Sequence, residues 1–486
     1  MLSPTRNRTL ALKWGSEEIA HDDLWERVGR LACGLAARGV RPGDRVALML
    51  PNGPDFVIAF LAVVQLRAVA VPLNPQFKKP ELAFYFHDCG VRAVITDEAG
   101  AAVCRAIVPR VSPWGEAAVI VAAVDALIEA HPVLEPERRS ADEVVVVQYS
   151  SGSTGRPKQV PRTQGQLRAE VEAYVAALRL TAEDSIFCAL PMFHTYGLGC
   201  CLLAAVRSGA TLVILDDPGP FAVMRERALS MLEHEAVTVL PAVPLMFRVL
   251  AEAGVPADLS SVRLCLSAGN ALPRSVFDAF RGAFGIGIRQ LYGLTEAGCV
   301  TVNLDGDATA TAASVGRPIG GVELAILDEG GNDLGTDRIG EIAVRAAGMT
   351  RGYAGVEEQL NQQAFRDGWF RTGDRGRVGD DGRLVLTGRK KLLIDVNGDK
   401  VDPIEVEDVL AVHPKVREVV VVGVAGEIEG EELVKAVVVP AETCSERELI
   451  RYCRERLANY KVPRTVEFRD EIPKNTLGKV LRKYLI

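Results

Sequence analysis

At 486 residues the chain exceeds what one hydrophobic core usually supports, so two or more domains are expected, with a length prior of about three. The composition is that of an ordinary folded protein, and 63 acidic against 56 basic residues give a formal net charge of -7, which offers no electrostatic footprint for nucleic acid or an anionic membrane. Ten scattered cysteines without a C-x-x-C pair exclude an evident zinc site or disulfide framework, so reduced thiols in a cytoplasmic protein are expected. The N-terminal basic residues Arg6, Arg8 and Lys13 are followed by no apolar core of a signal peptide. The apolar stretch 117–128 is short and interrupted by Asp125, so neither signal peptide nor membrane span is expected.

In chain order, a helical pattern over 22–38 leads through the Pro42-Gly43 turn to a strand at 45–49. A helix from Asn52-Gly-Pro-Asp55 to Gln65, a strand at 68–72, a helix at 80–88 and a strand at 93–96 follow. Alternating β and α segments with short connections predict layered βαβ units with largely parallel strands. The β-branched run Val144-Val-Val-Val147 predicts a buried strand, and what leaves it is Tyr149-Ser-Ser-Gly-Ser-Thr-Gly-Arg-Pro-Lys158. Gly152 and Gly155 permit close backbone approach, Ser150, Ser151, Ser153 and Thr154 add hydroxyl donors, and Lys158 adds a charge, a combination suited to phosphate. A plain surface turn is the competing reading of such a loop. Because Gly-Lys-Ser/Thr is missing, a Walker A loop is disfavoured.

Beyond it come a helix at 166–178, the run Leu190-Pro-Met-Phe-His-Thr-Tyr-Gly-Leu-Gly199, and strands at 211–215, 237–240, 264–267 and 287–291. From Gly316 short strands at 322–327, 340–345 and 383–387 among glycine turns predict a β-rich subdomain. After the charged Gly388-Arg-Lys-Lys391 the remaining stretch reads as a compact α+β domain with helices at 403–412 and 446–458 and strands at 418–424, 434–439 and 465–468. The expected organisation is therefore a large α/β domain over 1–388 and a small one over 389–486.

Six segments together resemble the acyl-adenylate-forming (AMP-binding) superfamily, which includes the acyl-CoA synthetases. They are 149–158; Tyr292-Gly-Leu-Thr-Glu296; Gly340-Glu-Ile-Ala-Val-Arg345 with Gly352-Tyr353; Trp369-Phe-Arg-Thr-Gly-Asp374; Gly388-Arg389; and Pro473-Lys-Asn-Thr-Leu-Gly-Lys479. The resemblance covers essentially the whole chain. It implies ATP, Mg2+ and coenzyme A as reactants and cofactors, with a mobile small C-terminal domain. It also implies roles: Ser150 to Gly155 and Lys158 cradle phosphate, Tyr292 with Gly293 lies on adenine, Thr295 contacts phosphate, Glu296 and Thr154 hold magnesium, and Asp374 and Arg389 meet the ribose. Ser267-Ala-Gly-Asn-Ala271 resembles the adenine and acyl-pocket loop, which assigns Gly269, Asn270 and Ala271. His194, Val243, Gly269 and Leu294 border the acyl pocket, Lys391 is the hinge, Asn397 and Gly398 belong to the coenzyme A channel, and Lys479 is the catalytic lysine.

The chemistry of these residues agrees with that reading. A carboxylate attacking the α-phosphorus of ATP needs its charge and the phosphate's screened, and no general base. A thiol then attacks the acyl carbon and AMP leaves. Each residue also has a plainer reading: Glu296 and Asp374 as turn carboxylates, Lys479 as a solvated charge, Tyr292 as a core aromatic, His194 as a satisfied core histidine. Some positions depart from the family pattern: Gln159 follows the lysine where glycine is usual, Gln164 stands for a histidine, Ala346-Ala347 for Gly-Pro, and Asp395 for a basic residue. The substrate expected is a hydrophobic acid, a medium- or long-chain fatty acid first and an aryl or cinnamate-like acid second, because 240–247 and 266–272 carry no charge cluster. The alternatives are loading of an acyl carrier protein and, outside enzymes, a silent nucleotide- or acyl-binding regulator. Oligomeric state is left open.

Overall fold

The structure is a computed structural model, and it describes residues 10–111, 124, 128, 131–137, 139–150, 157–216, 219–389, 394–396, 399–426, 432–457, 459–475, 478 and 480–486. It separates into two compact units, 1–323 with 344–370, and 324–343 with 371–486.

The first unit holds two sheets. In the smaller the strand order is Ala93–Thr96, Arg45–Met49, Val69–Pro72, Val144–Ser150, Lys158–Thr163. The first four run parallel and the last is antiparallel to its neighbour. The larger has nine strands, with a parallel centre built from Leu264–Ser267, Val239–Ala242, Ser185–Cys188 and Thr211–Ile214. Its outer strands on one side, Ile288–Leu294 and Gly298–Val302, form a hairpin. The layered, largely parallel arrangement read from the alternating pattern is what forms.

Helix Pro54–Gln65 shows why the layers hold. Pro54 at its first turn has no N–H to leave unpaired, and every side chain from Phe56 to Val64 is buried, so the helix is apolar all round and lies inside the unit. Phe56 and Phe60 alone each contribute roughly 1.5–3 kcal/mol by leaving water. Helix Gln164–Leu178 starts two residues earlier than the sequence pattern indicates. Thr163 and Gln166 close a reciprocal cap, with Thr163 N–H donating to Gln166 Oε1 at 2.8 Å and Gln166 N–H to Thr163 Oγ1 at 3.3 Å. Several elements were not foreseen, among them the return strand Lys158–Thr163, the strand Ser185–Cys188 and the hairpin Leu10–Trp14 with Glu17–Ala20, which adds Leu12 to the larger sheet in parallel register with Leu212. Two short strands beside basic residues carry little periodic signal.

In the second unit Val416–Ala425 and Glu432–Pro440 form an antiparallel pair, and Thr465–Phe468 adds in parallel. Helices Pro403–Ala411 and Glu446–Arg454 are capped by Asp402 and Ser445 and bury Val406, Leu410 and Leu449 against Val421, Val434 and Val438. Strand Leu384–Arg389 pairs with 374–378, placing Arg389 opposite Asp374. Compactness thus groups 324–343 and 371–389 with the second unit, whereas the expected boundary lies at Gly388 and the expected hinge at Lys391, and a division by packing need not coincide with one by motion. Among the described residues no helix is long and apolar enough to cross a membrane.

Candidate active site

Strand Val144–Ser150 delivers Ser150 and returns at once as Lys158–Thr163, with Ser150 opposite Lys158. The glycine-rich segment is therefore the tip of a hairpin at the edge of a parallel sheet, and the helix begins only after the return strand. Its tip, with Ser151, Gly152, Ser153, Thr154 and Gly155, lies outside the described residues, as do Lys391, Asn397, Gly398 and Lys479.

Lys158 and Glu296 meet through a residue that the sequence reading named only as part of a motif. The Lys158 ammonium sits over the Tyr353 ring, 4.5 Å from its centroid, and the Tyr353 hydroxyl donates to Glu296 Oε1 at 2.8 Å. Burial first, and the neighbouring Glu296 carboxylate second, push the Tyr353 hydroxyl well above its ordinary pKa, so it remains a donor. Asn361 clamps the tyrosine backbone, accepting from its N–H at 2.8 Å and donating to its carbonyl at 2.9 Å. Glu296 is only 7% exposed, and its second oxygen has no partner among the described residues. It sits at the turn between Ile288–Leu294 and Gly298–Val302, a hairpin with a bulge at Tyr292/Gly293. Thr350 holds that turn: its N–H donates to the Glu296 carbonyl at 2.8 Å, and its hydroxyl donates to the Pro161 carbonyl at 2.7 Å.

The departure at Gln159 is built in. Its side chain is 4% exposed and donates from Nε2 to the Asp88 carbonyl and to Asp88 Oδ2, both at 2.8 Å, while Oε1 accepts from Arg45 at 3.2 Å. Tyr149, its ionisation suppressed mainly by burial, donates to the same carboxylate at 2.8 Å. Both strands leading into the hairpin tip are thus pinned to the end of helix Lys79–Asp88.

Of the residues expected to border the acyl pocket, Val243 and Gly269 are neighbours, and His194 is held by its own loop. His194 Nδ1 accepts from the Tyr196 N–H at 3.3 Å. Gln148 fixes this loop to the strand entering the hairpin, donating to the Phe193 carbonyl at 3.3 Å and accepting from Thr195 Oγ1 at 3.0 Å. Tyr196 reaches the other way, donating to the Leu266 carbonyl at 2.9 Å. Gly269 adopts a φ of 85°, a conformation that favours glycine, and a β-carbon there would lie 3.5 Å from Val243 Cγ1, so Val243 and Gly269 are neighbours. Asn270 and Ala271 are exposed beside it, Tyr292 is 7% exposed, and Gly293, Leu294 and Thr295 complete the hairpin.

Asp374 and Arg389 belong to the second unit. Arg389 Nε lies 2.5 Å from Asp374 Oδ1, and Asp374 is 4% exposed. Asp395 has its side chain outside the described residues. All ten cysteines are free thiols, and burial raises Cys89 to about 12 and Cys104 to about 11, which suits packing rather than chemistry.

A fit to magnesium follows from the donor set. Among the described residues no three His, Cys, Asp or Glu side chains gather, whereas one buried carboxylate with a spare oxygen beside a phosphate-type loop is the sparse protein contribution that magnesium accepts when phosphates supply the rest.

Known proteins place this arrangement. Residues 4–354 match the family described as AMP-binding enzyme, and 405–479 match the AMP-binding enzyme C-terminal domain. The chain is 34% identical to an oxalate–CoA ligase of Arabidopsis thaliana, covering 96% of this chain and 93% of that one, and 35% identical to a feruloyl-CoA synthase of an Amycolatopsis species, covering 97% and 94%. The crystal structure of ATP-bound MatB from Rhodopseudomonas palustris superposes with a TM-score of 0.91 at 28% identity over 99% of this chain and 96% of that one. The chain belongs to the AMP-binding enzyme family, within which it is an acid–thiol ligase.

Proposed function

We propose that the chain activates a hydrophobic carboxylic acid as its acyl-adenylate and transfers the acyl group to the thiol of coenzyme A. The observation that carries the reading is the Lys158–Tyr353–Glu296 chain, in which one tyrosine links a cation at the start of the return strand to a buried carboxylate, the pair of charges that a phosphate and its counter-ion would need. In the first half-reaction a carboxylate oxygen bonds to the α-phosphorus and the bond to pyrophosphate breaks. In the second the thiol sulfur bonds to the acyl carbon, the acyl–phosphate bond breaks, AMP leaves and the thiol proton is released.

Within this reading the hairpin tip, including Thr154, and Lys158 hold the pyrophosphate side of ATP. Tyr292, with Gly293 and 269–271, holds adenine. Asp374 and Arg389 orient the ribose, and Lys479 bridges the carboxylate and the α-phosphate. Glu296 and Thr154 would hold magnesium, whose charge screens the phosphates when bound. Rotation of the small domain about Lys391 exchanges Lys479 for the segment bearing Asn397 and Gly398, which admits the thiol. A cytoplasmic location completes the proposal.

Fatty acids of medium or long chain are the first substrate class, since Leu240, Ala242, Val243, Met246 and Phe247 are buried and apolar. An aryl acid is the second, favoured by the feruloyl-CoA synthase relative. The test is acid-dependent ATP–pyrophosphate exchange over a panel of acids, followed by comparison of free coenzyme A with carrier proteins as acceptor. Exchange with none of the acids would refute the proposal.

A further inference from the structure

A buried charge pair beneath the site belongs to none of the motifs. Arg162, four residues after Lys158 on the same strand, is fully buried, and Glu170 on helix Gln164–Leu178 is 6% exposed. Arg162 Nη2 lies 2.6 Å from Glu170 Oε2. The second guanidinium branch leaves the pair and donates from Nη1 to the Thr295 carbonyl at 3.3 Å, the peptide that immediately precedes Glu296. Glu170 Oε1 in turn accepts from the Cys299 N–H at 3.3 Å, on the far side of the same turn. The turn is shaped around the carboxylate: Gly298 has a φ of 72°, and a β-carbon there would lie 1.9 Å from Glu170 Cδ.

A buried ion pair is a poor device for stability alone, since the loss of hydration offsets most of the attraction and an apolar pair of equal volume serves as well. Arg162 Nε is buried without an acceptor, a further cost that packing does not explain. What the pair does that an apolar pair could not is grip both flanks of the Glu296 turn by hydrogen bonds from a strand that begins at Lys158. Together with Thr350, which spans Pro161 and Glu296, it braces cation and carboxylate against each other.

We propose that Arg162 and Glu170 are positioning residues that set the Glu296 carboxylate for magnesium-bound nucleotide. The inference rests on the reading of Glu296 as the magnesium ligand. Its test is calorimetric binding of α,β-methylene-ATP, with and without Mg2+, to the full chain and to the double variant Arg162→Met/Glu170→Leu, which removes both charges and conserves volume. The expected result is at least about tenfold weaker binding in Mg2+ with metal-free binding within about twofold of wild type. Equal weakening with and without Mg2+, or no weakening, would overturn it. Should the double variant fail to fold, Arg162→Lys and Glu170→Gln, which keep the packing, must show the same magnesium-selective loss, and unchanged magnesium dependence in both would overturn the inference. Wild-type chain that shows neither acid-dependent exchange nor magnesium-dependent binding would overturn the ligase reading and this inference together. Wild-type chain that shows both, beside variants that match it, would overturn this inference alone.

Discussion

Replacing Tyr353 with phenylalanine removes one oxygen and little else, because the ring keeps its edge contacts with Phe365 and Phe370, at centroid distances of 5.3 and 6.5 Å, and its place under Lys158. What is lost is the 2.8 Å hydrogen bond to a carboxylate that is 7% exposed. A hydrogen bond to a charged group contributes about 1.5–3 kcal/mol. At about 1.4 kcal/mol per decade this corresponds to roughly 10- to 100-fold. If the bond orients Glu296 for magnesium, Tyr353→Phe raises the Mg2+ concentration for half-maximal acid-dependent ATP–pyrophosphate exchange by that factor. Tyr353→Ala additionally removes the ring from beneath Lys158, worth about 0.5–2 kcal/mol, so it should also weaken pyrophosphate in the reverse reaction. An unchanged magnesium dependence in Tyr353→Phe, with exchange intact, would refute the role assigned to the hydroxyl.

Four further outcomes are expected. Lys479→Ala abolishes adenylate formation yet largely spares thioester formation from supplied acyl-adenylate; equal loss in both assays would sink the two-state arrangement, and Gly152→Val or Gly155→Val should weaken ATP use in the same exchange assay. Gln159→Gly unpins the hairpin from Asp88 and Arg45, so limited proteolysis near the hairpin tip should speed up, with no change counting against the anchoring role. Asp184, 6% exposed, provides a pH test: burial pushes its carboxyl up, but Arg263, Thr238 and the Thr181 N–H together hold it below its ordinary range. Its folded value is therefore depressed, so its contribution is present above the unfolded value of about 3.9 and lost as pH falls through the folded one. The stability difference between wild type and Asp184→Asn, measured by urea unfolding, should shrink below about pH 4, and a constant difference would contradict the assignment.

Much of the site was legible in the residues themselves. Ser150 and Lys158 were named from a local string, because a loop that holds phosphate needs small, hydroxylated and charged residues in immediate succession, whereas Glu296, Asp374 and Arg389 were named through the family resemblance of their motifs. Val243 and Gly269 were named separately, and the structure makes them neighbours. Tyr353 was seen only as a motif letter, and Arg162, Glu170, Thr350 and Gln148 were not seen at all. Their signals are single polar residues inside apolar or helical patterns, with partners between 8 and 189 residues away in the chain. Gln159 was visible as a departure, but its partners Asp88 and Arg45 lie on elements that only packing brings near.

The sequence by itself determined the alternating α/β texture, the small C-terminal domain, the phosphate-type loop and the chemistry that its motifs imply. These depend on near-neighbour periodicity and on short runs of residue types, which survive in one dimension. Tertiary structure decided that the loop is the tip of a hairpin rather than the start of a helix, and that Tyr353 joins Lys158 to Glu296. It also decided that a buried arginine and glutamate brace the turn between them. Hydrogen bonds between strands and buried ion pairs are set by which segments share an interior, and that is a property of the folded chain, where distant residues are desolvated together.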